Sequence, residues 1–252
     1  MKRFFCANLF LAALFSAAIA QEKAPDLKKI IDKLDRLYRS RTSYCEMTME
    51  IRTPHWKRTL ELKAWAEGLE NSFITILSPR KDRGVSTLRK GNEMWNYFPK
   101  VNKVMKVPPS MMMGSWMGSD FTNDDIVKES SFLRDYTHKL VEPEPGKKDV
   151  YCVEMLPREK TPTVWGRIIT TVRKKDYLPV EQAFYDEKGK KMRVMVFKEI
   201  KELGGKVIPT VLELIPLNKE NHKTVVTYNR AKFDIELDDN VFTLRNLKKK
   251  RR

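Results

Sequence analysis

Residues 44–51 read YCEMTMEI, and the alternation in that stretch sets the fold. Cys45, Met47, Met49 and Ile51 share one side, while Tyr44, Glu46, Thr48 and Glu50 share the other, the period-two pattern of a half-buried β-strand. The pattern continues outward through 60–66, 72–77, 85–88, 94–98 and 103–107. Lys90-Gly91-Asn92 between two of these runs predicts a hairpin. After an interruption it resumes at 136–141, 150–156, 164–173, 180–185, 192–200, 207–215 and 224–233. The separators are turn chemistry: Asp186-Glu187-Lys188-Gly189, Gly204-Gly205 and residues 218–221. Links this short imply an antiparallel meander, and no linker divides the chain.

A single sheet of roughly eleven strands cannot lie flat, because strand twist makes it curl. Within residues 25–38, Leu27, Ile30, Ile31, Leu34, Leu37 and Tyr38 recur at three and four residues, which predicts one amphipathic helix that needs a surface to cover. The expected fold is therefore mainly β with few helices. It is an antiparallel open half-barrel with an N-terminal helix and a helical or loop lid. Its inner side is either filled by side chains or left as a ligand cavity.

The N-terminus predicts export. Lys2 and Arg3 precede an apolar run, 9–18, that is too short to span a bilayer, and Ala18-Ile19-Ala20 forms a small-x-small cleavage site. The expected organisation is a signal peptide at 1–20, a single domain at 21–247 and a basic tail at 248–252. Cleavage after Ala20 takes the net charge from +16 to +14 by removing Lys2 and Arg3. Export makes nucleic acid an unsuitable partner for that charge, leaving anionic membrane surfaces or acidic proteins. Cys45 and Cys152 survive processing, as a bridge or as buried thiols.

The interruption is the chain's most unusual segment. Met111, Met112, Met113, Trp116, Met117 and Phe121 crowd together behind Pro108-Pro109 and among Gly114 and Gly118. Methionine is unbranched and polarizable, so such a segment can repack against varied shapes. It reads as an adaptable apolar lid or as a core plug. With Trp95 and Phe98, at the approach to it, these residues form the candidate lid and pocket set, which the resemblance given below makes a lipid-binding one.

Catalytic signals are missing. His55, His138 and His222 are isolated, and Ser115 is displaced from the centre of Gly114-Ser115-Trp116-Met117-Gly118, so no nucleophile elbow forms. Asp120, Asp124 and Asp125 lack the alternate-position oxygens of a calcium loop. Capping of a short helix by Thr122 or Asn123 accounts for them better. The sequence predicts no enzyme, no cofactor and no metal.

A family resemblance rests on an ordered set of motifs. Trp95-x-Tyr97-x-Pro99, a basic strand and Met117-Gly118-Ser119-Asp120-Phe121 come first. Tyr177-Leu178-Pro179-Val180-Glu181, Tyr185-Asp186-x-x-Gly189, Ile208-Pro209-Thr210 and Asp238-Asp239-Asn240-Val241-Phe242 follow. Together they resemble the outer membrane lipoprotein-sorting proteins of the LolA-like superfamily, over roughly Leu27 to Leu247. The GSDF segment points to a less characterised branch. The resemblance implies a periplasmic half-barrel with an apolar cavity for acyl chains of a lipoprotein or lipid, serving transport between inner and outer membranes. An inner-membrane transporter is the further partner it implies. The other reading is a non-enzymatic regulator of an envelope sensor or exporter complex.

Overall fold

The computed structural model describes residues 25–127, 131–159, 161 and 163–249. The expected signal peptide and residues 250–252 of the basic tail lie outside them. Six strands come first: β1 (Thr42–Arg52), β2 (Lys57–Glu67), β3 (Asn71–Ser78), β4 (Ser86–Lys90), β5 (Glu93–Phe98) and β6 (Lys103–Lys106). Seven follow the Met-rich segment: β7 (Tyr136–Val141), β8 (Val150–Pro157), β9 (Arg167–Arg173), β10 (Pro179–Tyr185), β11 (Lys191–Leu203), β12 (Lys206–Pro216) and β13 (Lys223–Phe233). They form one antiparallel open sheet of thirteen strands in the order β6-β5-β4-β3-β2-β1-β13-β12-β11-β10-β9-β8-β7. Each run read from the alternation makes its own strand, so the sheet exceeds the roughly eleven expected of a curled sheet. Each half is a meander of sequence neighbours, and the halves join where β1 pairs with β13.

Helix α1 (Leu27–Arg36) begins at Asp26, whose carboxylate accepts from the Lys29 backbone N–H at 3.1 Å. That bond satisfies one of the helix's orphan donors. Its stripe of Ile30, Ile31 and Leu34 is buried against Tyr136, Val153, Met155, Ile168, Val172 and Phe184. Full burial of each such aliphatic side chain contributes about 1.5–3 kcal/mol. The Met-rich segment covers the other half of the same, inner face. There it packs on Met49, Ile51, Leu60, Leu62, Ile76 and Met94. The outer face of β3–β5 is covered by the chain's end, where Phe242 and Leu247, the latter in α4 (Leu244–Leu247), pack on Phe73, Leu88 and Tyr97.

Cys45 and Cys152 are both buried and free. They sit on β1 and β8, with β13, β12, β11, β10 and β9 between them, so no bridge can form. Burial pushes the Cys45 thiol up to about 11. Protein purified without reductant should therefore titrate both of these thiols when unfolded, and they should react only slowly when it is folded. A denatured thiol count of zero would contradict the strand placement.

Candidate functional site

Beside the Met-rich segment, just beyond the C-terminal end of α1, lies a cavity of about 380 Å³. Its floor is the alternating side of the sheet's middle strands: Cys45, Met47 and Met49 of β1, Leu62 and Ala64 of β2, Met195, Leu212, Val226 and Tyr228. Trp116, Phe121 and Ile126 wall one side, and Phe132, Tyr136 and Trp165 the other. Tyr38, stacked on Tyr228 with ring centroids 5.2 Å apart, stands at the end of α1.

The Met-rich segment has a rigid side and an open side. After a single turn of 3-10 helix at Pro109–Met111, Ser115 bridges to Thr122 and closes a compact loop. Trp116 is 1% exposed, and its indole N–H donates to Thr87 Oγ1 at 3.1 Å. The Thr87 hydroxyl in turn donates to Asn96 Oδ1 at 2.7 Å. From β2, Arg58 donates to the Met117 carbonyl at 3.1 Å while paired with Asp82. Asp120 bonds Thr224 of β13 through both its backbone N–H and its carboxylate. Met117 and Gly118 turn the chain at φ 51° and 81°. At Gly114 a side chain would sit 3.0 Å from the Met111 carbonyl oxygen, so this glycine serves close packing. Met111 and Met113, by contrast, are 58% and 50% exposed.

The segment runs into a short helix, α2 (Asn123–Val127), entered by a reciprocal cap. Asp125 N–H donates to Thr122 Oγ1, and Asp125 Oδ2 accepts from the Thr122 hydroxyl and backbone N–H. Asp125 also reaches across the cavity to Arg193 of β11, with a two-pronged ion pair at 2.6 and 2.7 Å. The guanidinium lies 4.4 Å from the ring centres of both Trp165 and Phe184. Its Nε is buried without an acceptor. Burial alone would raise the Asp125 carboxyl. The hydrogen bonds and charge of Arg193, with the Thr122 donors, outweigh it and hold the group below the ordinary carboxylate range.

Of the residues selected from sequence, Trp116 and Phe121 line the cavity. Met112 and Met117 pack on the adjacent core. Trp95 lies elsewhere: alternation along β5 puts Met94 and Asn96 on the inner face and Trp95 and Tyr97 on the outer. There Trp95 packs near the C-terminal cluster, with the Lys106 ammonium 5.6 Å from its ring. Phe98 is half-buried and does not line the cavity. Sequence reasoning missed Arg193, Gln182, Tyr228 and Trp165. Arg193 and Gln182 interrupt apolar strand faces, the one signal that could have marked them. Among the described residues, no three His, Cys, Asp or Glu side chains gather as a metal site.

The model of a family described only as an uncharacterized protein matches residues 68–249, more than half of the chain. The structure is similar to that of a DUF1329 family protein from Desulfovibrio piger, at TM-score 0.77 and 23% identity over 87% of this chain and 97% of that one. It also resembles an outer membrane lipoprotein-sorting protein domain from Vibrio parahaemolyticus, at TM-score 0.74 and 18% identity over 88% and 98% of the two chains. A LolA superfamily protein from Nitrosomonas europaea superposes at TM-score 0.72 with 20% identity over 87% and 98%. The chain belongs to the family of that uncharacterized protein, and its fold is LolA-like. No curated protein matches it. The open thirteen-stranded sheet with a helix laid across it is the LolA-like half-barrel fold.

Proposed function

We propose that the protein is a periplasmic carrier that holds acyl chains of a lipid or lipoprotein between the inner and outer membranes. The observation that carries this reading is the cavity of about 380 Å³ floored by methionine, leucine and valine. That volume falls within the range of about 300–1,000 Å³ common for small-molecule sites. Each buried methylene contributes about 0.8 kcal/mol, so a partly inserted chain is held firmly yet can be released. Trp116 and Phe121 form the fixed wall. Met111, Met112, Met113 and Met117 form the rim that repacks as cargo enters, with the first and third already in solvent. The chemistry is binding rather than catalysis.

Mass spectrometry of protein purified from the periplasm without detergent tests this. Retained acyl lipid at about one per protein is the expected result, displaceable by a fluorescent fatty acid. Protein that carries no lipid and does not bind the fatty acid would overturn the carrier reading.

A further inference from the structure

The apolar cavity shares a wall with a second cleft of different character. Arg39, Ser40 and Gly68 line both. The second cleft, about 790 Å³, lies where the end of α1 meets the turns at Gly68-Leu69 and Gly205. It presents Lys33, Arg36, Arg39, Arg41 and Lys206, against the carboxylates of Asp35 and Asp234. Both acids are already engaged. Asp35 accepts from the Phe132 N–H at 2.7 Å and the Ser131 hydroxyl at 3.3 Å, with Arg39 3.6 Å away. Asp234 accepts from the Arg41 backbone N–H at 3.1 Å.

The end of a helix ordinarily repels anions through its free carbonyls. Here Lys206 donates its ammonium to the carbonyls of Arg36 and Arg39, and so covers them with a cation. Arg36 is paired with Asp32 at 2.9 Å. Lys33 and Arg41 have exposed side chains that make no ion pair among the described residues. Glu67 and Glu70, on the neighbouring turn, are not in the cleft wall. The cleft thus holds an excess of positive charge at the edge of an apolar chamber. An amphiphile with one negative end is the molecule that satisfies both compartments at once.

We infer that the cargo is an acyl lipid with a phosphate-bearing anionic headgroup, its chain in the apolar cavity and its headgroup in the cleft beside Lys33 and Arg41. This rests on the carrier reading and adds the chemistry of the headgroup. The test titrates the protein by calorimetry with lysophosphatidylglycerol, with the neutral monoacylglycerol monoolein and with inorganic phosphate alone. The variant is Lys33→Glu/Arg41→Glu, whose positions are exposed, and melting curves check that it folds. The double reversal should weaken lysophosphatidylglycerol binding by about tenfold or more while leaving monoolein affinity unchanged.

Equal affinity of wild type for both lipids, unmoved by the variant, would overturn the headgroup assignment and leave the carrier reading standing. Binding of neither lipid would remove the carrier reading itself. Inorganic phosphate binding as tightly as the lipid would show an anion site independent of acyl cargo, which also overturns the inference.

Discussion

Asp125→Ala is expected to lower stability by about 3–5 kcal/mol, because it leaves the Arg193 guanidinium buried without its partner. Arg193 is 7% exposed and packs against two adjoining aromatic rings, so the lost carboxylate leaves its charge in a poorly hydrated place. Since whole domains are stable by only about 5–15 kcal/mol, the loss should be plain in urea denaturation. The double variant Asp125→Leu/Arg193→Met should recover much of it, as removing both charges often does. A single variant within about 1 kcal/mol of wild type would mean the pair is not closed in solution. The pair also sets an acid limit. A carboxyl held below its unfolded value stabilises the fold at pH above that value, about 3.9 for Asp, and the contribution fades as pH falls through the lower folded value. The stability of Asp125→Asn should therefore fall less steeply than wild type below about pH 4.

Trp116→Ala should cost about 3–5 kcal/mol, the range for emptying a buried aromatic site. The indole is 1% exposed and anchored to Thr87, which would lose a donor as well. Met113→Asp, at a position half in solvent, should change stability by no more than about 0.5 kcal/mol. Thermal melts of the two variants, beside fatty-acid displacement on each, separate the fixed wall from the moving rim. Equal melting of Trp116→Ala and wild type would show that the tryptophan is not packed in solution. A binding loss in Met113→Asp without a melting change is what a repacking rim predicts.

The sheet was legible because β-alternation is a local signal: one residue's neighbours two positions away suffice to place Cys45, Met47 and Met49 together. The same rule, applied strictly to β5, would have separated Trp95 from Met94 and Asn96 and put it on the outer face. The division within the Met-rich segment was not legible. Composition gives Met111, Met113 and Trp116 the same apolar character, and only the partners brought by β2, β4 and β13 decide which is buried. Arg193 was equally hidden, since its meaning depends on Asp125, which lies far away in the chain and nearby only after the sheet has curled. The cleft beside α1 escaped notice because its cations are scattered from Lys33 to Lys206.

The strand order carries a kinetic consequence. Every ladder but one joins strands that follow each other along the chain, so β1–β6 and β7–β13 can each form by quick local closures. The exception is the pairing of β1 with β13, which must bring nearly opposite ends of the sequence together and carries a register shift at Glu46/Met47. Closing that seam costs the most chain entropy, so it is the natural barrier to folding. Met47, Met49, Val226 and Tyr228 on these two strands are also the cavity floor. The cavity therefore comes into being only as the two meanders dock, and under the proposed carrier function an acyl chain held there would tighten the joint on which the whole sheet depends.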